Sequence, residues 1–223
     1  MKIQIIILAF LLNAHSSSAQ SFKELHDSLS YAIKQVELFP DSIDLRLRKA
    51  GWNIQLEQWQ YALDEYDQVI KRQPANPAAL FYRAFVNEKL RRYKFARRDY
   101  ETLLKTIPDH LEASIGLALL NFKDNRKTEA FNIINRLAER YPDNAMVYAV
   151  RGGMELDSKM LEPAEFDYSR AIEIDSKNND YLLNRVNIRI ILGRKEDARA
   201  DLDTLVKRGI SRAELMDYYR KCK

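Results

Sequence analysis

"YKFARRDYETLLKTIPDH", Tyr93–His110, decides the fold, because its Ala96 and Pro108 have counterparts at a fixed distance on both sides. Ala62 and Pro74 lie 34 residues earlier; Ala130 and Pro142 lie 34 residues later. The same step links Ala62, Ala96, Ala130, Ala164 and Ala198, and Pro40, Pro74, Pro108 and Pro142, with Ser176 where a fifth proline would fall. Nine positions in one register define an internal repeat.

Each period reads as two helices. In the second period, Ala78–Leu90 is the first helix, "RRY" (91–93) the turn, and Lys94–Ile107 the second helix, closed by Pro108. Proline lacks the amide hydrogen and clashes with the preceding turn, so it marks where each pair stops. Alanine recurs where two helix backbones approach closely. Six Gly and six Pro in 223 residues are too few for the turns of an all-β chain, so the fold class is all-α.

Numbering each period so that Pro74 and Pro108 fall at position 32 exposes further columns. Position 8 is small in four periods (Ala50, Ala84, Ala118, Gly152) and Val186 in the fifth, while position 24 is large (Tyr66, Tyr100, Ile134, Tyr168, Leu202). Small against large is how a helical hairpin fills its core. Trp59, Tyr93 and Leu161 share position 17 at the turn, where a large side chain plugs the hairpin's end; the third period has Lys127 there and Gly116 inside its first helix. Position 7 is Lys49, Arg83, Arg151 and Arg185, and position 23 of the same periods is Glu65, Asp99, Asp167 and Asp201; in the third period the two become Leu117 and Ile133. In an antiparallel hairpin turning near position 15, partners have position numbers summing to about 30, so the spacing predicts an intra-hairpin ion pair replaced once by an apolar couple.

These columns resemble the tetratricopeptide repeat (TPR) family over five units, residues 43–209. The resemblance implies antiparallel helix pairs stacked in a right-handed superhelix, with the first helices lining a concave groove. Residues 20–42 are expected to cap the stack, Phe22, Leu25, Leu29, Ile33 and Val36 giving an unpaired second helix before Pro40, and residues 210–223 to close it with a helix opened by the capping box Ser211–Glu214. Position 11, aromatic or apolar in the family, departs from the pattern as Asn53, Asn87, Asn121, Glu155 and Arg189.

The first-helix stripe that lines the groove in the family carries Leu47 and Ile54, Phe81 and Phe85, Ile115, Leu119 and Phe122, Leu156, then Leu183 and Ile190. Such a groove is expected to take an apolar or amphipathic segment of a protein or peptide. The carboxylate clamp by which some members grip acidic chaperone tails is absent, since position 5 is Leu47, Phe81, Ile115, Ala149 and Leu183 and position 9 offers only Asn187. A second reading rests on Lys89, Arg91, Arg92, Lys94, Arg97 and Arg98, a basic cluster at the second period's turn that could dock on anionic lipid or polymer, or serve as a solvated edge.

Nothing in the sequence points to catalysis. No nucleophile elbow, phosphate loop or dinucleotide fingerprint occurs, and His26 and His110 lie in no metal-ligand spacing, so no enzyme activity, metal or cofactor is expected. The N-terminus has Lys2, an apolar run from Ile5 to Leu12 and small residues at Ser17 and Ala19, as in a cleavable export signal over 1–19. Eight apolar residues reach only about 12 Å as helix against roughly 30 Å of hydrocarbon, which argues against a span. No cysteine lies near the cut to accept a lipid, and Cys222 is the only one in the chain, so no internal disulfide forms. The processed chain, periplasmic or secreted, carries 35 Lys+Arg against 32 Asp+Glu, too balanced a charge to argue for nucleic acid.

Overall fold

The computed structural model of the protein describes residues 19–223, so the expected export signal lies outside the described residues except for Ala19, which opens the first helix. Twelve helices follow in order: α1 (Ala19–Leu38), α2 (Ile43–Gln55), α3 (Trp59–Arg72), α4 (Pro77–Lys89), α5 (Tyr93–Thr106), α6 (Leu111–Lys123), α7 (Lys127–Arg140), α8 (Ala145–Asp157), α9 (Leu161–Ile174), α10 (Asn179–Ile191), α11 (Lys195–Lys207) and α12 (Met216–Lys221). No strand occurs among the described residues. None of these helices is long and apolar enough to cross a membrane.

The turn inside each period is built by backbone chemistry alone. Position 15 (Glu57, Arg91, Asn125, Lys159, Gly193) takes a positive φ of 55 to 76° in all five copies. In the second period the amide of Arg92 donates to the Asn87 carbonyl at 2.7 Å and that of Arg91 to the Glu88 carbonyl at 3.0 Å, and each of the other four repeats both bonds. This Schellman pattern satisfies carbonyls that the end of the first helix would otherwise leave unpaired. Between periods a second column acts: Ser42, Asn76, His110, Asn144 and Asn178, each at position 34, cap α2, α4, α6, α8 and α10 by accepting a backbone amide two or three residues on. The residue before Pro74 and Pro108 is extended, as proline's ring demands of its predecessor, and Asp175 before Ser176 keeps the same conformation.

The chain divides into two compact units, one ending at Ala130 and the other starting at Phe131. In the first, α1 packs on α2, and the hairpins α2–α3 and α4–α5 are followed by α6. Ala50, Ala62, Tyr66, Val69 and Val86 belong to one core cluster, placing the small and large columns against each other. Helix α4 touches both α2 and α6, with no comparable contact between α3 and α5, so the first helices form the tighter row. In the second unit α8–α9 and α10–α11 are the hairpins, with Ala164, Tyr168 and Ala171 in one cluster and Val186, Ala198 and Leu202 in the next.

The C-terminal cover differs from its expected form. Ser211 Oγ does accept the Glu214 amide, at 3.3 Å, and donates to its carboxylate at 2.6 Å. That box closes a turn over 211–215, however, and α12 begins only at Met216, anchored by Leu215 and Cys222 in the cluster of α10 and α11. Cys222 is buried there, which leaves its thiol shielded.

Candidate functional site

The couples at positions 7 and 23 form because the two helices of a hairpin run antiparallel and bring those positions level. Arg83 donates to the two carboxylate oxygens of Asp99 at 2.8 and 2.6 Å, Arg151 to those of Asp167 at 2.6 and 2.8 Å, and Arg185 to those of Asp201 at 2.9 and 2.7 Å. Lys49 reaches Glu65 at 2.6 Å, and Arg46 takes the other oxygen at 2.7 Å. Each of the three arginines has a third contact, in the hairpin before its own: Asp67 at 2.7 Å, Asn135 at 3.2 Å and Ser169 at 3.0 Å. Those acceptors share position 25, so the arginine column fastens successive periods as well as closing each hairpin.

The first-helix stripe is more enclosed than an open groove requires. Ile54, Phe81, Phe85, Ile115, Leu119 and Leu156 are buried, and only Leu47 and Phe122 are half-buried. Phe85 sits edge-on to Trp59, ring centres 6.0 Å apart, beneath the Lys89 ammonium at 5.2 Å. Phe81 is covered by His110, stacked at 5.5 Å, and meets Tyr100 edge-on at 6.0 Å. The close row of first helices thus spends most of the stripe on its own packing, a correction to the wide oily groove expected from sequence. Leu183 and Ile190 are half-buried in the second unit, packed on its terminal cluster. Gln55, Lys89 and Lys123, at position 13 of α2, α4 and α6, are exposed, the last paired with the buried carboxylate of Glu88.

The basic residues of the second period separate into two sets. Arg97 turns inward, donating to Asn121 at 2.9 Å and pairing with Asp124. Arg92 and Arg98 instead flank a shallow cleft of about 470 Å³ with Phe95, whose ring is 61% exposed, over Leu63 and Asn87.

The family model described as tetratricopeptide repeat matches residues 88–145. The chain carries the tetratricopeptide-repeat fold. No curated protein matches it as a sequence. Among solved structures, a TPR protein from Parabacteroides merdae superposes with a TM-score of 0.74 at 18% identity, over 91% of this chain and 79% of that one. A thermophilic TPR protein from Thermus thermophilus gives 0.63 at 18% identity over 81% and 98%. YrrB, described as a TPR protein with an unusual peptide-binding site, gives 0.54 at 18% identity over 79% and 91%. At these identities the likeness establishes the fold of this TPR chain and nothing finer.

Position 11, where this TPR chain departs from the family's apolar habit, turns out to be a buried polar column. Asn121 accepts from Arg97, and Arg189 joins Glu165 to Asp201 at 2.8 Å each. Asn53 Nδ2 is buried without a partner, and so is one oxygen of Glu155, Oε2. Glu155 faces Asp167 and Arg151, and burial, helped by the Asp167 charge, pushes its carboxyl up to about 8. It therefore enters neutral pH protonated, a glutamine in effect. A charged residue in a column otherwise filled by hydrogen-bond donors was the sequence signal for it. Among the described residues no group of His, Cys, Asp and Glu is arranged to hold a metal.

Proposed function

We propose that this TPR protein is an exported, non-catalytic scaffold that binds a partner protein through the face of α2, α4 and α6. TPR stacks are in general interaction modules rather than catalysts, and YrrB shares the fold. The single observation that carries the reading is that these three helices keep Leu47 and Phe122 half-buried while Gln55, Lys89 and Lys123, at position 13 of each, stay exposed. An amphipathic segment with an acidic residue suits it, the apolar side meeting the rings and the carboxylate meeting Lys89, which lies over the Trp59 and Phe85 rings and has no ion pair among the described residues. Because Phe81 and Phe85 are buried, changing them reports on folding. Peptide-display selection against the purified protein should return acidic, amphipathic sequences, and Leu47→Gln with Lys89→Glu should abolish their binding while the helical circular dichroism stays unchanged. Selected peptides indifferent to both substitutions would refute this face.

The cleft beside Phe95 favours one second reading, association with an anionic lipid surface or polymer through Arg92 and Arg98 of the cleft and exposed Arg91 at the turn next to Arg92. Binding of that kind fades steeply with salt, whereas contact with an apolar face does not. Since Arg91 occupies the left-handed turn position, Arg91→Gly removes the charge and keeps the turn. Vesicle binding that ignores both salt and this variant would dismiss the basic region.

A further inference from the structure

Helix α1 occupies the place of a second helix whose first helix is missing among the described residues. Pro40 closes it at position 32, and its Ser28, Tyr31, Ala32 and Gln35 are the register counterparts of Ala62, Glu65, Tyr66 and Val69 on α3. On α3 those positions face α2: Ala62, Tyr66 and Val69 share a cluster with Ala50 and Ile54, and Glu65 binds Lys49. On α1 the same positions border a cleft of about 450 Å³, whose far wall is Leu45, Arg48 and Trp52 of α2. The counterparts of Leu45 and Trp52 one period later, Ala79 and Val86, are completely buried, whereas Leu45 and Trp52 themselves stay half-open. The cleft is therefore a seat for one helix.

We propose that a second copy of this chain fills the seat, α1 of each protomer lying antiparallel against α1 and α2 of the other in a two-fold dimer. The size pattern supports self-pairing. In four of the five full periods a large residue at position 24 meets a small one at position 8, but here position 24 is Ala32 and position 20 is Ser28, so the seat calls for large side chains from its occupant. Helix α1 supplies them on its own open edge, where Tyr31 is 66% and Leu38 67% exposed. An element with both the hollow and the projections is self-complementary, which is the condition for an isologous interface. With the two-fold axis near residues 31 and 32, each Tyr31 lies over the other copy's Ala32. Charge agrees as well: Asp27 and Arg48 line the seat from opposite walls, neither has an ion pair among the described residues, and each meets its opposite across the axis.

Sedimentation velocity on the purified protein over two decades of concentration tests this. A monomer–dimer equilibrium is expected, with the dissociation constant raised at least tenfold by Tyr31→Glu, an exposed site whose change leaves the fold intact, and raised similarly by Arg48→Asp. The exchange Asp27→Arg with Arg48→Asp should restore most of the affinity, which no folding defect would do. A monomer at every concentration overturns the proposal and leaves the seat to another protein's helix or to the chain's own first residues. A dimer indifferent to Tyr31→Glu and to the charge exchange overturns it equally.

Discussion

Replacing Arg151 by Leu and Asp167 by Ile, the residues of the third period's Leu117 and Ile133, separates the net value of a couple from the penalty of breaking it. The Asp167 side chain is 2% exposed and holds two donors at 2.6 and 2.8 Å. Arg151→Leu alone removes both and should cost about 3 kcal/mol, the low end for an orphaned buried charge. Neutral Glu155 is what keeps it low, because its proton can be shared with Asp167. Asp167→Ile alone should cost only about 1 to 2 kcal/mol, since Glu155, relieved of the neighbouring charge, ionises and takes Arg151 as its partner. The double variant has no ion to orphan and should lie within about 1 kcal/mol of the parent, a coupling of roughly 3 to 5 kcal/mol. At about 2 to 4 °C per kcal/mol for a chain of this length, Arg151→Leu should melt about 6 to 12 °C lower and the double variant only a few degrees lower. Thermal and urea unfolding at pH 7, followed by far-ultraviolet circular dichroism, provide the cycle. Single effects that simply add, within about 0.5 kcal/mol, would show that the couple is two independent surface charges.

Glu155 also makes stability depend on pH. Its folded pKa, about 8, lies above that of an unfolded carboxyl, so the folded chain holds an extra proton between the two values and stability falls as pH rises through that window. Glu155→Gln should flatten the decline between about pH 5 and pH 8 in thermal melts; an unchanged slope would mean that Glu155 is ionised in the fold. A methyl group added at Gly116 would stand 2.7 Å from the Tyr100 ring, so Gly116→Ala should lose about 1 to 2 kcal/mol despite alanine's better helix propensity, and pairing it with Tyr100→Leu should recover most of the loss in urea titrations. Lys159 holds a φ of 62°, where a side chain costs about 1 to 2 kcal/mol; Lys159→Gly should raise the unfolding midpoint, and a drop would mean that its side chain makes a contact worth more than the strain.

The fold was legible because the period repeats and its columns survive comparison among five copies in one chain. Ala62 through Ala198 and the charged couples needed no alignment: wherever an arginine stood at position 7, an aspartate stood at position 23. Two equally regular columns went unread for a physical reason. The caps at position 34 vary among Ser, Asn and His, which share one acceptor geometry but no common letter. The left-handed turn at position 15 is occupied by Glu, Arg, Asn, Lys and Gly, so the usual glycine signal appears once in five, the Schellman bonds imposing the conformation on residues that do not prefer it. The stripe around Phe81 and Phe85 was misjudged because helical periodicity marks an apolar face without saying what lies on it. That His110 would stack on Phe81 depends on how closely α4 and α6 approach, whereas Lys89 over Phe85 is an i,i+4 pair within α4.

That approach also decides where evolution could place a partner without unmaking the stack. Residues serving hairpin closure are committed to joints: Arg83 holds Asp67 on α3 and Asp99 on α5, and Phe81 meets Tyr100 on α5, so altering one for recognition loosens a joint. Surface free of that obligation lies at half-covered places: the first-helix face of Leu47 and Lys89, the cleft of Phe95 and Arg98, and the seat on α1. Of the three, only the seat lacks, among the described residues, a helix that the register supplies to every other period. An uncovered second helix leaves Tyr31 and Leu38 in water, at a loss of about 25 cal/mol for each Å² of apolar surface that a neighbour would otherwise cover. In the proposed dimer a second copy would regain that area at both ends of the axis at once, so a first helix missing among the described residues bears on assembly as well as on stability.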